Sequence, residues 1–173
     1  MIKKNSIQLT EVTAKLEEGK YTIRIRIRNQ EDRTLYAYGS PRRILYNKSS
    51  RKLTLYLHDH HLSKEEEKLI SPHLRQPSFI PLEAHTETEF KVRLNPILNR
   101  IRPASERGNG PLFEEQHISE AQQIDIEIAC HDTPFYYNPK IANADQLKKW
   151  GALISKANFK ITPVKQRQAK KGR

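Results

Sequence analysis

The residues best suited to chemistry in this 173-residue chain are its histidines, above all the run His58-Asp59-His60-His61. His58 and His60 stand two apart at the end of an alternating segment, so on a strand their imidazoles point to one face. Two imidazoles on one face can hold a metal ion once a third ligand joins them. His131, beside Asp132 at the end of another alternating segment, is the candidate third. A catalytic zinc needs three protein ligands, an open position and a placed general base. Spacing sets no carboxylate as that base, so this reading stops at a metal site of His58, His60 and His131. His73, His85 and His117 fall in segments read as loops.

Nucleophilic and nucleotide chemistry find less material. Cys130 is followed by His131, but neighbours on a strand face opposite ways and the two side chains do not meet. Cys130 closes an apolar alternation and is expected as a core thiol. As the single cysteine it also leaves no internal disulfide and no multi-cysteine zinc site. There is no Gly-x-Ser-x-Gly elbow and, with six glycines in all, no glycine-rich phosphate loop. The chain is therefore read as a non-enzyme that needs no cofactor.

Charge is the compositional outlier. Lysine and arginine outnumber acids 31 to 20, a formal net charge of +11, which favours a polyanionic partner such as RNA, DNA or an acidic protein surface. The basic residues have a pattern. In Tyr21–Arg28 the apolar set Tyr21, Ile23, Ile25, Ile27 alternates with Arg24, Arg26 and Arg28, and in Glu89–Leu94 Lys91 and Arg93 alternate with Phe90, Val92 and Leu94. Alternate residues on a strand lie about 6.6–6.8 Å apart, near the phosphate spacing of a nucleic-acid strand. Arg24, Arg26, Arg28, Lys91 and Arg93 are thus candidate polyanion-binding residues, and Lys165, Arg167, Lys170 and Lys171 of the apolar-poor C-terminal segment extend the set. Local acids such as Glu17, Glu18 and Glu89 are the opposing consideration, because they can pair the same cations. Tyr36, Tyr38, Tyr46 and Tyr56, interleaved with Arg42, Arg43, Arg51 and Lys52, are candidates for stacking on bases.

The elements that must position these groups are strands. Period-two alternation recurs in Lys52–His58 and in Gln123–His131, where Asp125 and Glu127 face the wet side. Shorter candidates are Leu35–Tyr38, Arg42–Tyr46, Ser78–Leu82 and Asn158–Thr162. Strands with one apolar and one charged face belong to antiparallel sheets wetted on one side. Ile7 and Leu9 sit at odd positions but Val12, Ala14 and Leu16 at even ones, which predicts a bulge or a change of sheet. Two helices are expected. One starts at the capping box Ser63-Lys-Glu-Glu66, and one spans 143–155 with Leu147, Trp150, Leu153 and Ile154 on a face that plugs the sheets with Trp150. Pro96, Pro103, Gly108, Gly110 and Pro111 break periodicity over 95–121, which reads as a long loop.

The order of segments over residues 6–164 resembles the immunoglobulin-like sandwich of many bacterial domains. A phase-shifting first strand precedes a long strand ending Arg28-Asn-Gln-Glu-Asp-Arg-Thr-Leu35. Phe79-Ile-Pro-Leu-Glu-Ala-His-Thr-Glu-Thr-Glu-Phe90 is similar to the turn entering the fifth strand of such domains. The resemblance implies an all-β, antiparallel immunoglobulin-like β-sandwich with two short helical insertions and a long loop, forming one domain over 1–164 with a basic tail at 165–173. It also implies that strands 21–28 and 89–94 are neighbours and that strand 123–131 belongs to the other sheet.

Met1-Ile-Lys-Lys-Asn leads into mixed polar sequence with no apolar leader, and no stretch approaches the ~18 apolar residues of a membrane span. A cytoplasmic location without a membrane partner is expected. The functional expectation is a binding module or adaptor contacting another protein. Ile97, Leu98, Ile101, Leu112 and Phe113, more large apolar residues than a solvated linker needs, are the candidate protein-binding set. The second reading is an RNA- or DNA-binding accessory protein using the basic face and tail.

Overall fold

The computed structural model describes Lys3 and residues 5–60, 77–140 and 143–164. The helix expected from Ser63 and the tail residues Lys165, Arg167, Lys170 and Lys171 lie outside the described residues. In chain order the strands are β1 Ile7–Glu17, β2 Lys20–Asn29, β3 Leu35–Tyr38, β4 Arg43–Asn47, β5 Lys52–Leu57, β6 Phe79–Leu82, β7 Glu87–Leu94, β8 Ile97–Ile101, β9 Phe113–His117, β10 Gln123–His131 and β11 Leu153–Lys160. Among the described residues two α-helices, α1 Ala104–Arg107 and α2 Asn143–Trp150, interrupt them. The chain is all-β, built from several antiparallel pairings without a barrel.

The first sheet has the order β1-β2-β7, antiparallel throughout. Tyr21, Ile23, Ile25 and Ile27 of β2 are fully buried, while Arg24, Arg26 and Arg28 point away from the core. Each buried isoleucine removes apolar surface worth about 1.5–3 kcal/mol from water, which fixes the register, since a slip of one residue would bury the arginines. The phase change in β1 is a bulge. Leu9 pairs with Ile27 but Glu11 with Arg26, so Thr10 is the extra residue, and the inward set passes from Ile7 and Leu9 to Val12.

The second sheet has the order β4-β5-β10-β3-β6, with β11 on β10. Ile124, Ile126, Ile128 and Cys130 of β10 face the same buried cluster as β2, together with Leu53, Leu55 and Leu57 of β5. The sheet is mixed, which corrects the antiparallel expectation: β10 pairs β5 in parallel over Gln123–Ile128 and β11 in antiparallel fashion. The reason is connectivity, because no hairpin joins β5 to β10 and the intervening chain is long enough to return in the same direction.

The other face of this sheet is covered at one end by α2. Trp150 sits edge-on to Tyr38 and Phe79, with ring centroids 5.7 and 4.8 Å away, and stacks on His131 at 5.6 Å. Its indole N–H donates to the Thr133 carbonyl at 2.8 Å. The helix ends at Trp150, not at 155, because Leu153 and Ile154 belong to β11. Gly151 makes the turn, and a Cβ there would stand 3.0 Å from Ala129 Cβ and 3.3 Å from Tyr38.

The segment expected as a long loop at 95–121 carries two paired strands instead, β8 and β9, joined through α1. Leu98 of β8 packs on the core cluster and Ile118, in the 3-10 turn that follows β9, is buried in it. A two-stranded ribbon is marginal alone, and these two anchors hold it.

Candidate interaction groove

The predicted polyanion face exists as a surface. Arg24 pairs with Lys91 across β2 and β7, and Arg26, Arg28 and Arg93 lie on the same side. Its charge is largely matched. Arg24 contacts Glu17 and Glu89 at 3.0 and 3.3 Å, Arg26 contacts Glu11, Glu87 and Glu89, and Arg93 contacts Glu18 at 3.0 Å. The hydrogen bond from Arg24 holds the Glu17 carboxyl below its ordinary range, and that from Arg26 does the same for Glu89. Arg28 and Lys91 remain on this face without an ion pair among the described residues. Asp125 and Glu127 of β10 face outward on the other sheet, as expected, and are matched too, by Lys52 at 3.1 Å and by Lys156 at 3.3 Å.

The tyrosine set does not form a stacking platform. Tyr38 and Tyr46 are buried, and the Tyr38 hydroxyl donates to Asp59 Oδ2 at 2.7 Å. Asp59, itself buried, also accepts from Arg42 Nε at 3.1 Å. Burial first, and then the Asp59 charge, raises the Tyr38 pKa well above the ordinary tyrosine range.

The three histidines read as a metal site are not arranged as one. His58 is buried, its Nδ1 accepts the His60 backbone N–H at 3.0 Å, and its Nε2 lies 3.2 Å from Glu127. A ring whose Nδ1 accepts carries its neutral-form proton on Nε2, so neither nitrogen has a lone pair to offer. His60 Nε2 donates to the Lys148 carbonyl at 2.8 Å, and His131 Nδ1 accepts from the Thr133 backbone at 3.0 Å. Among the described residues no group of three or more His, Cys, Asp or Glu side chains is placed to hold a metal ion. The histidines are tied into the sheet and its covering helix. Cys130 is the core thiol expected, with its pKa pushed up to about 12 by burial.

The hairpin β8–β9 brings together what sequence reading left scattered. Ile101 pairs directly with Phe113, and Ile97 lies four rungs away on the same side. Ile97 is 38% exposed, Ile101 65%, Leu112 44% and Phe113 55%. Leu98, from the same predicted set, is withdrawn: the pleat turns it to the opposite face, where it packs on the core. That opposite face carries Arg100, Glu114 and Gln116, and the Gln116 amide donates to the Tyr46 carbonyl of β4 at 3.3 Å.

Between this hairpin and the β4–β5 hairpin runs a groove of about 1030 Å³. Leu45 (41% exposed) and Phe113 give it apolar surface, Lys48, Lys52, Arg100 and Arg102 give it cations, and Glu106 and Glu114 give it carboxylates. Arg100 is held by Glu106 at 3.0 Å and Glu114 at 3.4 Å. Arg102 donates to the Glu106 backbone carbonyl at 2.8 Å, a neutral partner that fixes the guanidinium without cancelling its charge. Gly110 allows this packing, since a Cβ there would meet Arg102 Nη1 at 2.9 Å and the Arg107 carbonyl at 2.8 Å.

Leu45, Lys48, Arg100, Arg102 and Gln116 escaped the sequence reading. One signal was present: Ile44-Leu45-Tyr46 is three consecutive apolar residues in a strand, so the middle one must face away from its neighbours' side. The chain matches no protein-family profile, no curated protein and no solved structure. No helix among the described residues is long and apolar enough to cross a membrane.

Proposed function

We propose that this chain is a non-catalytic, cytoplasmic binding module on an immunoglobulin-like sandwich, and that it docks another protein through the exposed face of the β8–β9 hairpin. The observation that carries the reading is the gathering of Ile97, Ile101, Leu112 and Phe113, all exposed, on one small ribbon. Scattered single apolar residues need no explanation, but Ile101 and Phe113 are paired across the ribbon with Leu112 next in the chain, and an exposed cluster of that kind is a common mark of an interface. Phe113 beside Ile101 also supplies the aromatic and aliphatic anchor on which interface energy tends to concentrate.

Strand connectivity supports the immunoglobulin-like part of the reading. β1, β2 and β7 neighbour one another as the first, second and fifth strands of such domains do, and β3, β10 and β11 as the third, sixth and seventh do. On this view β4–β5 and β8–β9 are additions to the seven-strand plan, and together they build the groove.

The test is site-specific photocross-linking in cells, with a photoreactive residue at Ile101 or, as a control, at Lys15 on the other sheet. The reading expects a discrete adduct from position 101 and none from position 15. Equal, diffuse labelling from both positions would contradict it, and an adduct to a second copy would make the ribbon a self-association surface instead.

A further inference from the structure

We infer that the groove between the β4–β5 and β8–β9 hairpins accepts an extended, acidic segment of a partner protein, one that also carries an apolar side chain. This rests on the proposed docking role of the hairpin and names the chemistry of what it takes. Of the four groove cations, Lys52 is engaged by Asp125 and Arg100 by Glu106 and Glu114. Lys48, in the turn after β4, and Arg102, in the connection after β8, have no carboxylate partner among the described residues. They belong to opposite walls, so a segment lying between the hairpins meets a positive charge from each.

Arg102 is held in place by the Glu106 carbonyl and by its fit against Gly110, so little side-chain freedom is lost when it meets an anion. Between these charges, Leu45 and Phe113 offer apolar contact. A chain with a net charge of +11 adds a long-range field that draws an acidic partner toward the site. The composition of the walls favours peptide over nucleic acid. A single strand of nucleic acid is held by a continuous cationic track and a row of exposed rings. Here two of the four cations are already neutralised, Tyr46 is buried, and Phe113 is the exposed ring.

The experiment is fluorescence anisotropy on the full chain with three labelled probes: a short peptide alternating acidic residues with leucine and phenylalanine, an uncharged peptide of the same length, and a single-stranded oligouridylate of matched length. The acidic–apolar peptide is expected to bind more tightly than the other two, with affinity that falls as salt rises. Lys48→Glu, Arg102→Gln and Phe113→Ser are each expected to weaken it by about tenfold or more, whereas Lys15→Glu leaves it unchanged. Lys48 is an exposed turn residue, so its variant keeps the test valid should Arg102→Gln fold poorly. No binding of the acidic peptide, equal losses from Lys15→Glu, or tighter binding of the oligouridylate through the same residues would overturn the inference. A position-101 cross-link obtained alongside any of these would leave the docking role standing and remove the acidic segment alone.

Discussion

His58, His60 and His131 illustrate what residue spacing does and does not determine. Two-residue spacing is a local feature, whereas ring nitrogens are claimed by whichever donor or acceptor the fold brings near. In this chain those are the His60 backbone, Glu127, the Lys148 carbonyl and Thr133. Two of those partners, Glu127 of β10 and the Lys148 carbonyl of α2, lie far from residues 58 and 60 in sequence. The buried Tyr38–Asp59–Arg42 group was equally hidden. Removing one partner of a buried pair leaves the other charge uncompensated. Asp59→Ala is therefore expected to lower stability by about 3–5 kcal/mol, read as a shift in the urea midpoint at unchanged slope. Alkali should act through the buried tyrosines, Tyr38 among them, and the buried thiol. Burial pushes Tyr21 from 10.0 to about 12 and Cys130 from 9.0 to about 12, and it raises Tyr46 as well. The unfolded chain releases these protons first, so between about pH 9 and pH 12 it binds fewer protons than the native state and stability falls as pH rises. Each unit of displacement corresponds to about 1.4 kcal/mol. Absorbance at 295 nm should show Tyr21, Tyr38 and Tyr46 ionising together with loss of the fold. Early ionisation of all seven tyrosines in a still-folded protein would contradict this.

At the scale of elements, legibility followed burial on one side. β2, β5, β7 and β10 each bury one face, so their apolar residues alternate and the sequence displays them. β8 and β9 do not alternate in that way, because the exposed side of the ribbon mixes Ile97, Ile101 and Phe113 with Asn99 and Glu115, while the inner side carries Arg100 and Gln116 beside Leu98. The start of β11 reads as helix in the sequence because Leu153 and Ile154 continue the spacing of Leu147 and Trp150, and the close fit of Gly151 against Ala129 is a tertiary fact. Adding a methyl at that point overpacks the contact. Gly151→Ala is expected to cost about 1–3 kcal/mol, measurable by thermal melting. A melt that matches the parent would show that the helix can shift to make room. On the ribbon, Ile101→Ser and Phe113→Ser remove a cross-strand pair at exposed positions, so each should cost no more than about 1 kcal/mol, a small change beside the loss of docking they are expected to cause.

For the molecule as a whole, the surplus of positive charge was visible in composition, but its distribution was not. Arg24, Arg26 and Arg93 promised a basic sheet because they alternate along their strands. Glu17, Glu18 and Glu89, the acids that sequence offers as their partners, do pair them, and strand pairing adds Glu11 of β1 and Glu87 of β7 from across the sheet. The parallel pairing of β5 with β10 was hidden for the same reason, since register between distant segments leaves no local trace. The groove exists because the β4–β5 and β8–β9 hairpins face one another, and its cations without a carboxylate partner among the described residues, Lys48 and Arg102, differ from those that alternation selects. The most direct test of the proposed docking role is quantitative affinity capture from cell extract, comparing the full chain with its Ile101→Ser/Phe113→Ser double variant after both are shown to melt alike. The account predicts that a defined protein is retained by the parent in constant ratio and lost by the variant. Identical captured sets from the two would contradict it, because the exposed ribbon would then have no part in binding.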